Sequence, residues 1–76
     1  MIKKIKLSID NLVKNGEIKK GESIKVKNLS RDKLILLDAC FVGNLHYSTK
    51  KQTFIDARNP QNIVYALEVM YLGDKN

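Results

Sequence analysis

The residues of this chain best placed to do chemistry are lysines. Lys19-Lys20 and Lys50-Lys51 sit in turn-like stretches, and Lys25 and Lys27 alternate with Ile24 and Val26. Tyr47 and Phe54 flank the second pair, and Arg58 follows in a turn-like run. Cations interleaved with aromatic rings suit nucleic acid, because ammonium groups neutralise phosphates and rings stack on bases. The candidate contact set is therefore Lys19, Lys20, Lys25, Lys27, Tyr47, Lys50, Lys51 and Arg58. Phe54 is expected in the core instead. The chain has twelve lysines and only two arginines, Arg31 and Arg58. Lysine meets phosphate as a point charge, whereas arginine makes the bidentate fork that reads guanine. Any nucleic-acid contact is thus expected to be led by the backbone and weakly dependent on sequence.

Other chemistries find no constellation. His46 is the only histidine, so neither a metal site nor an acid–base pair can be built around it from the usual partners. Cys40 is the only cysteine and stands beside Phe41 in an apolar run, where a buried, inert thiol is expected. Ser8, Ser23, Ser30 and Ser48 lie in no nucleophile motif. The spacing of Asp10, Asp38 and Asp56 implies no shared site. Gly16, Gly21, Gly43 and Gly73 are too scattered to cradle a phosphate. The expectation is a noncatalytic protein without metal or cofactor.

Length and charge set the frame. Seventy-six residues make one domain, 1–76, with a single modest core. The formal charge is +6, and it is uneven. Residues 1–38 carry ten basic and five acidic side chains; residues 39–76 carry four and three. Such an excess favours nucleic acid or an acidic protein, although a charge of this size also serves plain solubility. The first residues lack the apolar core of a signal peptide, and no run is long and apolar enough to span a bilayer. With its lone cysteine, the chain is expected in the cytoplasm. Its oligomeric state is left open, a homodimer included.

The elements that must position these lysines read as follows. Ile2 to Leu7 is a short edge strand or a frayed end. Ser8 caps a short helix with Ile9, Leu12 and Val13 on one stripe, closed by Gly16. A strand follows around Ile24 and Val26. "KLILLDACFVG" (33–43) reads as a central strand interrupted by Asp38, with a buried helix as the competing reading. Gly43-Asn44 marks a hairpin turn. Residues 45–55 form either two short strands about "KKQ" or one strand with a break. "RNPQNIVYALEVMYLG" (58–73) reads as a helix: Asn59 as N-cap, Pro60 at the first position, an apolar stripe of Ile63, Val64, Leu67, Met70 and Tyr71, and Gly73 as the stop. The expected fold is α+β: a short N-terminal helix, a three- to four-stranded antiparallel sheet, and a C-terminal amphipathic helix packed on that sheet.

"IDNLVKNGEIKKGESIKV" (9–26) resembles the opening of the restriction-enzyme-adenine-methylase-associated domain, or RAMA domain. Leu12, Gly16, Ile18, Gly21 and Ile24 stand where that family has its aliphatic residues and glycines. "GNLHYSTKKQTFIDARNPQNIVYAL" (43–67) looks like the family's hairpin followed by a helix. The chain departs from the pattern at Ala57-Arg58-Asn59-Pro60-Gln61, where the family has a serine-proline-serine-alanine-like run. The resemblance implies a small noncatalytic module tied to DNA-acting systems, such as a restriction-type system or a mobile element. The leading expectation is a basic module that binds nucleic acid through lysine–phosphate contacts. The alternative, from a different class, is a protein-interaction or inhibitor domain that docks on an acidic protein.

Overall fold

In the computed structural model, residues 2–73 are described. Helix α1 (Ile2–Lys14) is followed by strand β1 (Ser23–Leu29), helix α2 (Arg31–Ala39), and strands β2 (Tyr47–Asp56) and β3 (Asn59–Tyr71). The three strands form one antiparallel sheet in the order β1-β3-β2. The molecule is elongated, 46 × 19 × 18 Å, because β2 and β3 run on together beyond the end of β1.

Helix α1 is longer than the pattern of Ile9, Leu12 and Val13 suggests. Ile2 and Ile5 extend the same stripe and pack against the core, so the first residues are helix and not an edge strand. Ser8 is not a cap. It sits mid-helix, and its Oγ donates to the Lys4 carbonyl one turn back at 2.9 Å. The stop is as expected. Gly16 has φ +79°, its N–H donates to Val13 O, and the Glu17 N–H donates to Leu12 O. That paired closure is the Schellman motif.

The 33–43 segment corrects the strand reading: it opens in helix α2 and ends in a turn. Ser30 is its N-cap, and the Ser30 hydroxyl accepts from the Lys33 N–H at 3.2 Å. Leu34, Leu37 and Phe41 recur at helical spacing and are buried. Ile35 and Leu36 remain exposed on the other side, so the run is apolar all round without being covered all round. Gly43-Asn44 lies in the turn after α2, not between two strands.

The C-terminal helix is overturned outright, and with it the helix implied by the family resemblance. Residues 59–71 are β3, the central strand. Tyr65, Leu67, Val69 and Tyr71 alternate at strand period and face the helices. The cap-like residues serve a hairpin instead. Asp56 pairs with Asn59 across a turn at Ala57-Arg58. Asp56 Oδ1 accepts from the Arg58 N–H, and Asn59 Oδ1 accepts from the Gln61 N–H. Asparagine before proline meets the needs of a turn as readily as those of a helix start. An isolated helix gains only local hydrogen bonds, whereas a strand in this place fills the middle of the sheet. Of the two readings of residues 45–55, the single strand is closer: β2 runs unbroken from Tyr47 to Asp56.

Both helices lie on one face of the sheet. The core joins Ile9, Leu34, Leu37 and Phe41 from the helical side to Leu29, Leu67 and Val69. A bulge sets that alignment. Val26 pairs with Leu67 and Leu29 with Tyr65, so Lys27 and Asn28 stand opposite Ala66 alone. Asn28 takes φ 61°, and the extra residue turns Leu29 inward beside Val26.

Candidate nucleic-acid interface

Strand alternation decides which lysines can act together. With Leu67 and Val69 directed at the helices, the opposite face receives Ser23, Lys25 and Lys27 from β1 and Val64, Ala66, Glu68 and Met70 from β3. From β2 it receives Ser48, Lys50, Gln52, Phe54 and Asp56. Among the described residues no helix covers this face.

Lys25 and Lys50 both pair with Glu68, one from each side. Two strand spacings separate them, about 10 Å between Cα atoms. Glu68 also accepts a hydrogen bond from Ser23 Oγ at 3.3 Å. Farther toward the hairpin, Phe54 is 45% exposed, and Lys25 Nζ stands 5.5 Å from the centre of its ring. That is cation–π distance. An open groove of about 440 Å³ runs here, lined by Lys25, Lys27, Asn28, Phe54, Asp56, Val64 and Ala66. The apolar floor comes from β3, and the polar walls come from the β1 bulge and the end of β2. The face therefore holds three ammonium groups and two carboxylates. Its positive excess is small, and the carboxylates sit in defined places.

Gln52 also belongs to this face, opposite Ala66, and its Oε1 is buried without a hydrogen-bond partner. A buried unmet acceptor costs about 1–3 kcal/mol.

The structure separates the residues proposed from sequence. Lys25, Lys27 and Lys50 come together. Lys51, one residue on, points to the helical side, where its Nζ is 4.0 Å from Asp38 Oδ2. Tyr47 is also on the helical side. Its hydroxyl donates to Asp10 Oδ1 at 2.7 Å, and its ring meets Phe41 edge-on at a 5.2 Å centroid distance. Lys19 and Lys20 lie in the turn before β1; the Lys20 stem packs near Gly73, at the far end of the sheet from the hairpin. Arg58 is exposed in the hairpin turn itself. Arg58 cannot share one short ligand with Lys19 and Lys20, since the sheet's length divides them.

Phe54, expected inside, is outside. The signal was in the sequence: Phe54 has the same strand parity as Lys50, and parity assigns the face once the strand is known. Asn28 and Asp56 were missed because a bulge and a hairpin turn aim them. The three aspartates do not meet. Asp10 and Asp38 bind β2 residues from the helices, through Tyr47 and Thr49, while Asp56 lies at the groove. His46 sits in the turn before β2, with Nδ1 3.2 Å from Gly73 O, and Cys40 is half-buried at the C-cap of α2, where its Sγ donates to Leu36 O.

Compared with known protein families, curated proteins and solved structures, the chain matches none of them. The uncovered face must therefore be read from its own geometry. Among the described residues no cluster of His, Cys, Asp or Glu is set to hold a metal ion, and no helix is long and apolar enough to cross a membrane.

Proposed function

We propose that this protein is a noncatalytic module that binds nucleic acid on the uncovered face of its sheet. Lys25, Lys27 and Lys50 hold the phosphate backbone, and the exposed ring of Phe54 offers a surface to bases. One observation carries the reading: three lysines and an exposed aromatic ring converge on a sheet face that no helix among the described residues covers. Lys19, Lys20, Lys51 and Arg58 add to the general attraction without touching the same short segment. Tyr47 drops out of the contact set because its ring and hydroxyl are engaged on the helical side. A setting in a DNA-acting system, of the restriction or mobile-element kind, would rest on the RAMA resemblance alone, whose implied helix is strand β3 here. The single thiol fits a reducing cytoplasm.

The test is a binding titration against salt with fluorescent oligonucleotides. Three phosphate contacts on a single strand give a log–log salt slope of about two. Changing Lys25, Lys27 or Lys50 to Gln weakens binding to all sequences alike and flattens the slope by about 0.7 each. The Lys25→Gln/Lys27→Gln pair acts more strongly than either change alone. Absence of any retention at low salt removes the nucleic-acid reading. The same lysines then serve to dock an acidic protein.

A further inference from the structure

Building on that reading, we infer that the groove beside Phe54 takes one unpaired base of a single strand and favours a base that carries an exocyclic amino group, cytosine over thymine. Three features argue for an unpaired base. The Phe54 ring is exposed at the groove wall, and a ring can stack only on a base freed from its own stack. The half-buried Val64 gives the groove an apolar floor, with the fully buried Ala66 beneath its lining, and this suits the flat surface of a base better than a phosphate. Lys25 and Lys27 stand along the same groove, where the phosphates flanking an inserted base must pass. Lys25 Nζ now rests over the Phe54 ring, so a base that stacks there displaces the ammonium toward a phosphate. One cation–π contact is exchanged for a stack and an ion pair.

Asp56 argues for the amino group. A carboxylate on a phosphate-binding face opposes the phosphates, so its useful partner is a donor on the base edge. Asp56 Oδ1 already accepts from the Arg58 N–H in the hairpin turn, which fixes the carboxylate, and Oδ2 remains to accept. Cytosine presents its N4 amino group as a donor, and thymine presents O4, an acceptor that a carboxylate repels. Asn28, held at the bulge with φ 61°, lines the same groove and can both donate and accept.

The experiment compares equal-length oligomers of deoxycytidine and of thymidine, and a duplex, by fluorescence anisotropy at neutral pH. The wild-type protein is expected to bind the cytidine oligomer roughly tenfold more tightly than the thymidine one, and both more tightly than the duplex. Phe54→Leu keeps apolar bulk and loses the ring; it should weaken single-strand binding roughly 5- to 150-fold. Asp56→Asn keeps the turn's acceptor oxygen, so the hairpin persists, and it should bring the two oligomers to similar affinity. Circular dichroism confirms that both variants are folded. If oligonucleotides bind with the lysine-dependent salt slope but Phe54→Leu changes nothing, or duplex binds as well as single strand, the groove is not a base site, while the wider reading stands. If the cytidine preference is absent, or survives Asp56→Asn, the role of Asp56 is overturned. If no oligonucleotide binds at all, both readings fall.

Discussion

The Tyr47 hydroxyl donates to Asp10 Oδ1 at 2.7 Å, tying the first residue of β2 to the middle of α1. Lys6 Nζ reaches the other oxygen of the same carboxylate at 2.6 Å. The α1–β2 seam is thus held by a short polar chain at the rim of the core. The Asp10 side chain is 37% exposed, so water screens the pair and places its worth near the low end for a charged hydrogen bond. Tyr47→Phe should cost about 1 kcal/mol in a urea melt. It should leave oligonucleotide affinity unchanged, because the ring lies on the helical side. A large loss of binding by this variant, with the fold intact, would return Tyr47 to the contact set.

Leu67 is fully buried at the centre of β3, between Val26 and Lys51 in the sheet and against the helices. Leu67→Ala should destabilise by about 2–5 kcal/mol, a large part of the stability of so small a domain. Thermal unfolding measures it directly. A shift of only a degree or two would mean that the helices do not pack over this strand.

Asn28 holds the left-handed conformation that turns Leu29 into the core. Glycine adopts it without strain, and a residue with a Cβ beyond asparagine's tolerance does not. Asn28→Gly should stay within about 0.5 kcal/mol of the wild type, and Asn28→Val should lose about 1–2 kcal/mol. Equal stability of the two variants, read from chemical denaturation, would contradict the bulge.

Gln52 buries an acceptor that nothing satisfies. Replacing the amide with an apolar group of similar size removes that penalty. Gln52→Leu should therefore gain about 1 kcal/mol and raise Tm by about 4–8 °C. A lower Tm would show that the amide has a partner in solution.

Local chemistry was legible wherever one residue decides it. Gly16 closes α1, and Ile24 and Val26 mark β1. Where two local structures use the same signals, the sequence was ambiguous. Asn59-Pro60 starts a helix or follows a hairpin turn with equal ease. Ile63, Val64, Leu67 and Met70 fit a helical stripe, while Tyr65, Leu67, Val69 and Tyr71 fit a strand. The run 33–43 is apolar enough for either. The candidate interface suffered for the same reason. Three of its lysines were named from type and alternation, but Phe54 and Asp56 could not be placed until residues 47–71 were known to be one hairpin.

By itself, then, the sequence determined the positive charge, the weight of lysine over arginine, the close of α1 at Gly16 and the strand character around Ile24 and Val26. Tertiary structure decided the rest. Residues 59–71 become a strand because β2 pairs along them as the other arm of a hairpin, and because β1, distant in sequence, pairs with residues 65–70 on the other side. Once they do, strand parity sorts every side chain to one of two faces, sending Tyr47 and Lys51 to the helices and Lys25, Lys50 and Phe54 to the open side. Backbone pairing between distant segments is not written in any local window, and here it is what separates the core from the candidate binding face.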